Sequence, residues 1–474
     1  MTDIDVSRIR GANTGGRPPA HRRRRLSHLL PAFLVLACGS AAEQRVSGEQ
    51  VSDALQAGAS PAAASQALAA PNAVTDWNAR AQTAIAPGRG SGSATYLLAM
   101  VQLAIYDAVV AIQGGYEPFN ASIQAPAGAN LNAAVATAAW RVLRERVPAQ
   151  APSIDSQYAA YLAGIPDDPS RSDGVAVGAA SAAAMLAARS ADNFSSNLPY
   201  VQPPVGPGVW EPTLPTPPVD YNLQFVIPFT SDSPASFRPG PPLRLTSLQY
   251  ALNVWEVQVL GRSDSTARSP QQLDVAKFWS ESAFTLWTRG MRNLAIARGL
   301  DELETARLMA MTTLAAADTL ISCWEAKYHY SSWRPVHAIT RADTDGNRWT
   351  FADPSWTALL NQNHPEYPAG HGCYGSSVTT ALRKYFGTDE IPISLDSTAA
   401  GLTSPSHSYA RLSDIVEETA NARVWAGLHF RHTLKVSVKL GKTVARHALR
   451  GQFRPLHSHH EDDLDDPEDA GDDD

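Results

Sequence analysis

The chain lacks most of the residues that would assign it to a specialised protein class. Three cysteines in 474 residues are too few for a disulfide scaffold, and none has zinc-ribbon spacing. The 31 glycines and 34 prolines are scattered without period, which excludes a collagen-like or wholly disordered chain. Beyond the N-terminus no segment is expected to serve as a transmembrane helix. A basic excess is missing too. The net charge of -7 comes from the ends: seven arginines against Asp3 and Asp5 in residues 1–38, and ten acidic residues with no base from Glu461 to Asp474. The body between them is nearly neutral, so no nucleic-acid partner is expected.

What is present begins with an address. Arg22-Arg23-Arg24-Arg25 precede the apolar stretch Leu29-Leu30-Pro31-Ala32-Phe33-Leu34-Val35-Leu36-Ala37. That order is an export signal, too short to span a bilayer. Val35-Leu36-Ala37-Cys38-Gly39-Ser40 resembles a bacterial lipoprotein cleavage box, which would lipidate Cys38; ordinary cleavage after Ala41 is the alternative. Residues 1–41 are expected to be a signal peptide. The protein would then be extracellular, periplasmic or lipid-anchored, touching a membrane only through Cys38. Residues 42–75 read as a flexible linker and 456–474 as an acidic, disordered tail.

The body reads as all-α, with helical bundles joined by long Pro-rich loops. An N-terminal helical region is expected over 76–245 and a C-terminal one over 246–455. Leu97, Leu98, Val101, Ile105, Ala108 and Val109 follow a three/four step, as do Val135, Ala138, Ala139, Val142 and Leu143. Ala-rich 173–190 is another helix. Pro203-Pro204, Pro217-Pro218 and Pro241-Pro242 forbid regular elements in 199–245, predicting an ordered loop anchored by Trp210, Phe225 and Phe229. Helices resume at about 247–261, 270–289, 301–328, 375–386, 411–426 and 433–450.

Three short stretches carry the chemistry. In Lys327-Tyr328-His329-Tyr330-Ser331-Ser332-Trp333-Arg334-Pro335, a helix would put Lys327 and Arg334 on one face, and Pro335 would stop it there. Two cations meeting at a helix end suit a tetrahedral oxyanion. In His364-Pro365-Glu366-Tyr367-Pro368-Ala369-Gly370-His371-Gly372, a glycine permits close approach of backbone to a ligand and His371 suits acid–base work beside an anion. In Ala422-Arg423-Val424-Trp425-Ala426-Gly427-Leu428-His429, Arg423 and His429 converge only if the helix breaks near Gly427. Taken singly, these are equally a solvated basic face and structural histidines.

In that order, Lys-x6-Arg-Pro, Pro-x-Gly-His and Arg-x5-His resemble the vanadium-dependent haloperoxidase and type 2 phosphatidic acid phosphatase superfamily. Trp324, Trp333 and Gly427-Leu428-His429-Phe430-Arg431 resemble its haloperoxidase branch, as do the 208–212 segment and Phe278-Trp279-Ser280-Glu281. The resemblance implies a vanadate cofactor bonded to His429. Lys327, Arg334, Arg423 and the Gly370 N–H would bind its oxygens, and His371 would act as acid–base. Glu281 would orient Arg423, with Trp324 nearby, and His364 would tune the halide site. The implied activity is oxidation of halide by hydrogen peroxide to a hypohalous species. The alternative is a soluble acid phosphatase hydrolysing phosphate esters in the same pocket with His429 as nucleophile. A non-enzymatic anion binder is a third reading, which His371 argues against.

Two residues depart from the pattern. Ala369 stands where the superfamily usually has serine, removing a hydroxyl donor. Thr433 stands where an aspartate often follows the last histidine by four residues. Cys323, one turn before Lys327, and Cys373, two residues after His371, are expected close together, as a disulfide or as two thiols.

Overall fold

In the computed structural model, residues 70–456 are described. The expected signal peptide with Cys38, most of the expected linker and nearly all of the acidic tail lie outside the described residues. The first helices are α1 (Ala73–Ile85), α2 (Ser91–Gln113), α3 (Leu131–Arg146), α4 (Ala151–Ala163) and α5 (Pro169–Ala188). After the long loop come α6 (Leu248–Leu260), α7 (Pro270–Phe278), α8 (Ala283–Arg298), α9 (Glu302–Tyr330) and α10 (Pro335–Thr340). The last are α11 (Gly370–Phe386), α12 (Leu412–Trp425) and α13 (Arg431–Ala448). A single antiparallel hairpin, β1 (Ile393–Asp396) with β2 (Ser406–Tyr409), completes the described elements, pairing Ile393 with Tyr409. The described fold is almost entirely helical, as expected.

α9 is the axis. A capping box starts it: the Glu304 N–H donates to Asp301 and the Asp301 N–H to Glu304. It is buried from Thr305 to Lys327 on nearly every side, as a central helix must be. α2, α11 and α13 pack against it, so the two expected helical regions share one core. By length and apolar composition α2 alone qualifies as a membrane span among the described helices, against expectation. Its most apolar window is 89% buried inside the protein, so that composition serves the core.

The loop between α5 and α6 is anchored as its prolines suggested, though by more contacts than its aromatics. Trp210 is fully buried, and its N–H donates to Ser331 O at 2.7 Å. Phe225 and Phe229 are only half-buried, whereas Leu223 and Val226 are buried. Asp318 of α9 accepts the Phe229 and Thr230 N–H groups at 2.7 and 3.0 Å. Asp220 in turn accepts from Gly92 N at the start of α2.

Two expected helices change shape. The 270–289 helix is interrupted at Trp279–Ser282, giving α7 and α8, because Ser397 Oγ and Arg423 take the Phe278 and Trp279 carbonyls. The 375–386 helix starts earlier, at Gly370, placing His371 in its first turn.

Candidate active site

Four backbone breaks bring the site together. α9 ends at Ser331, which adopts left-handed geometry with φ 42°. Lys327 and Arg334 are therefore not on one helix as expected; Arg334, extended before Pro335, opens α10. α12 stops at Trp425, and Gly427 turns with φ 75°. A side chain there would strike the Gly261 carbonyl. The turn lets the Arg423 carbonyl accept from both Leu428 N and His429 N, at 3.1 and 3.3 Å. Arg423 and His429 so converge despite their unhelical spacing. The third break is the α7–α8 interruption, whose Ser280, Glu281 and Ser282 form one wall. The fourth is the start of α11 at Gly370, where any Cβ would lie 3.0 Å from Trp324.

These breaks surround a cavity of about 700 Å³ lined by Trp324, His364, Gly370, His371, Arg423 and His429. Lys327 and Arg334, fully buried, stand behind that wall. Lys327 donates to the carbonyls of Pro365, Glu366 and Pro368. Arg334 donates to His364 O at 2.6 Å and Leu428 O at 3.1 Å, and its Nη2 lies 2.9 Å from His364 Nδ1. Arg423 donates to the Trp279 carbonyl at 2.6 Å while its Nε has no partner. Among the described residues no carboxylate lies within 4.0 Å of any of the three cations. A buried positive charge so placed is costly unless an anion joins it.

The electrostatics follow from burial. It pushes Lys327 down to about 8, with Arg334 adding to the effect. It lowers Arg423 to about 9 and Arg334 to about 10. His371 and His429 are held well below the ordinary histidine range by burial first, and next by Arg423 and Arg334 respectively. Both rings are therefore neutral near pH 7. His371 bonds to the Glu281 main chain, and its Nε2 has no partner. His364 is buried rather than a water-exposed loop residue, and neutral for the same reasons.

One expectation is overturned. Glu281 does not orient Arg423: its carboxylate takes Arg289 at 2.7 Å and the Thr398 hydroxyl at 2.8 Å. Cys323 and Cys373 do lie together, but as two free buried thiols in hydrogen-bond contact. Glu366, quoted within the second motif yet given no role, lies 3.0 Å from His429 Nδ1 and accepts from Phe430 N and Thr433 Oγ1. Burial raises Glu366 to about 7 against these bonds and the nearby cations. The signal for it was only its place in the motif, since the partner is 63 residues away.

Ala369 precedes α11 without any side-chain cap, so the first-turn N–H groups beside His371 keep no side-chain acceptor. A helix N-terminus, three buried cations and two neutral histidines are the requirements of a tetrahedral oxyanion site. Vanadate fits that set, which leaves Arg423 Nε unpartnered as a donor and His371 Nε2 unpartnered as an acceptor.

Comparison with known proteins agrees. The family model described as the VCPO second helical-bundle domain matches residues 307–457. The vanadium chloroperoxidase of Curvularia inaequalis is 27% identical over 150 residues, covering 26% of this chain. The match spans only 24% of that relative's length. Among solved structures, a bacterial vanadium-dependent iodoperoxidase superposes with TM-score 0.67 at 23% identity, over 82% of this chain and 97% of that one. An apo bacterial vanadium-dependent chloroperoxidase gives TM-score 0.60 at 19% identity, over 75% and 92%. Residues 307–457 thus match the VCPO second helical-bundle domain, and the chain shares its helical fold with bacterial vanadium-dependent haloperoxidases.

Proposed function

We propose that this protein is a vanadate-dependent haloperoxidase that oxidises halide with hydrogen peroxide to a hypohalous species. The observation that carries the reading is the cluster of three buried cations, unpaired with carboxylate, closing on His429 and His371. Lys327, Arg334 and Arg423 would neutralise the bound oxyanion, and the start of α11 would add N–H donors at Gly370. His429 would hold the metal through Nε2, because its Nδ1 is bonded to Glu366. Bound vanadate supplies the Lewis-acidic centre at which hydrogen peroxide is activated towards halide. His371, neutral and with Nε2 unpartnered, accepts a proton from peroxide there and returns it to the leaving oxygen. Trp324 and Gly370 would form the cavity wall beside the bound oxyanion.

We also propose that the protein acts outside the cytoplasm, on the strength of the Arg22–Arg25 and Leu29–Ala37 order. The function is tested with apo-protein, hydrogen peroxide, each of iodide, bromide and chloride, and a phenolic dye. Adding orthovanadate should restore halogenation, and phosphate should compete. If vanadate instead inhibits phosphate-ester hydrolysis and no dye is halogenated, the haloperoxidase reading falls and the phosphatase reading replaces it.

A further inference from the structure

Thr433 occupies the position, four residues after His429, where the superfamily's pattern often has an aspartate. The structure puts a carboxylate beside His429 by another route. Glu366 belongs to the loop before α11, not to the helix after the histidine. Its Oε1 lies 3.0 Å from His429 Nδ1 and accepts from Phe430 N at 3.1 Å. Its Oε2 accepts from Thr433 Oγ1 at 2.9 Å. Glu366 and His429 are each only 2% exposed at the side chain. Its direct side-chain contacts are His429 and Thr433, while Lys327 and Arg334 act on it only from beyond 4.0 Å among the described residues.

We propose that Glu366 is the positioning residue of His429, and that Thr433 holds Glu366 in place of supplying the carboxylate itself. The two positions have exchanged duties. A carboxylate oxygen accepting at Nδ1 would hold the proton on that nitrogen and leave the Nε2 lone pair for the metal. The Phe430 and Thr433 donors hold the carboxylate at both oxygens, so the ring is fixed as well as its tautomer. An aspartate at 433 beside Glu366 would set two buried like charges in contact, which explains why one position is acidic and the other carries a hydroxyl. The inference rests on the oxyanion-site reading above, whichever reaction the site performs.

The test is a double-substitution cycle in the full chain. Orthovanadate affinity of the apo-protein is measured by calorimetry, and folding by thermal melting. Glu366→Gln keeps shape and removes charge, and should weaken vanadate binding about 10–100-fold. Thr433→Asp alone should also weaken it, through repulsion from Glu366. The double variant Glu366→Gln with Thr433→Asp should recover most of the affinity, because one carboxylate again serves His429. Unchanged affinity in Glu366→Gln, or two losses that merely add, would overturn the assignment. If the wild-type chain binds no vanadate, the oxyanion reading itself fails with it. Should the variants melt below the assay temperature, 15N-histidine spectra of the wild-type protein decide. A neutral His429 protonated at Nδ1 supports the role, and one protonated at Nε2 ends it.

Discussion

Arg189 and Arg423 are both deeply buried arginines in one molecule, yet their surroundings are opposite. Arg189 pairs with Asp192 at 3.0 Å, reaches the Ile227 and Pro228 carbonyls, and stacks over Phe229 at 4.3 Å. Burial lowers it to about 10, and Asp318 pulls back against that shift. Arg423 has the Trp279 carbonyl at one nitrogen and nothing at Nε, and its chief charged neighbour is another arginine. Burial of a guanidinium thus serves two ends. With a carboxylate the guanidinium is a staple for the α5–α6 loop; without one it keeps an unpartnered Nε, as the proposed oxyanion site requires.

Substituting each arginine by alanine separates the two roles and has the largest expected effect. Arg189→Ala leaves Asp192 buried without its partner and should cost about 3–5 kcal/mol of stability, with vanadate affinity unchanged in whatever remains folded. Arg423→Ala should lose about a hundredfold or more in vanadate affinity, while the apo-protein melts at or above the wild-type temperature because an uncompensated charge has gone. Equal destabilisation in both variants would break the comparison.

The pH dependence of anion binding sharpens it. Lys327 is lowered to about 8 in the free protein. Above that pH the lysine is neutral and must take up a proton when an anion binds, so affinity falls as pH rises. Below it the proton is already present and affinity levels off. Sulfate is the suitable probe, since its own charge is constant across this range. Its dissociation constant should rise by up to about tenfold per pH unit above pH 8. A flat profile from pH 7 to 10 would show that Lys327 adds no charge to the site.

The helices were legible wherever apolar spacing was regular, as in α9, whose expected 301–328 span is observed as Glu302–Tyr330. The α7–α8 break was not, because Trp279-Ser280-Glu281-Ser282 contains no proline or glycine. Its causes are tertiary bonds from Ser397 and Arg423. The same limit applies to the site. Residue types and order pointed to Lys327, Arg334, Gly370, His371, Arg423 and His429 as one group. Which carboxylate serves which cation or ring depends on side chains far apart in the chain, so Glu281 was matched to Arg423 and Glu366 was passed over. Gly427, by contrast, was readable, since only a chain reversal could bring Arg423 to His429.

Ala369→Ser should have a smaller effect, on both functions of the α11 N-terminus. A serine there can cap the first turn, which should stabilise the protein by about 0.5–2 kcal/mol. The new hydroxyl can instead donate to the bound anion, and vanadate affinity should then rise. Thermal melting with and without vanadate separates these outcomes. Stabilisation confined to the vanadate-loaded protein would assign the hydroxyl to the anion, and stabilisation of the apo-protein alone would assign it to the helix.

The smallest effect concerns a neutral side-chain partner of Arg334. Where Arg189 has Asp192, Arg334 has the ring of His364, at 2.9 Å and uncharged. This keeps the guanidinium positive and oriented without cancelling its field. His364 also lines the cavity and packs against Trp324, with ring centroids 5.5 Å apart. His364→Phe would preserve the packing but remove the nitrogen that meets Arg334 Nη2. The His364 carbonyl would still accept from Arg334 Nε, so the arginine stays in place. Vanadate affinity should therefore remain near its original value. The face offered to an incoming halide becomes less polar, which should shift the bromide-to-chloride rate ratio. An unchanged ratio would remove His364 from halide selection, and a large loss of vanadate affinity would show that the ring, more than the carbonyl, holds Arg334.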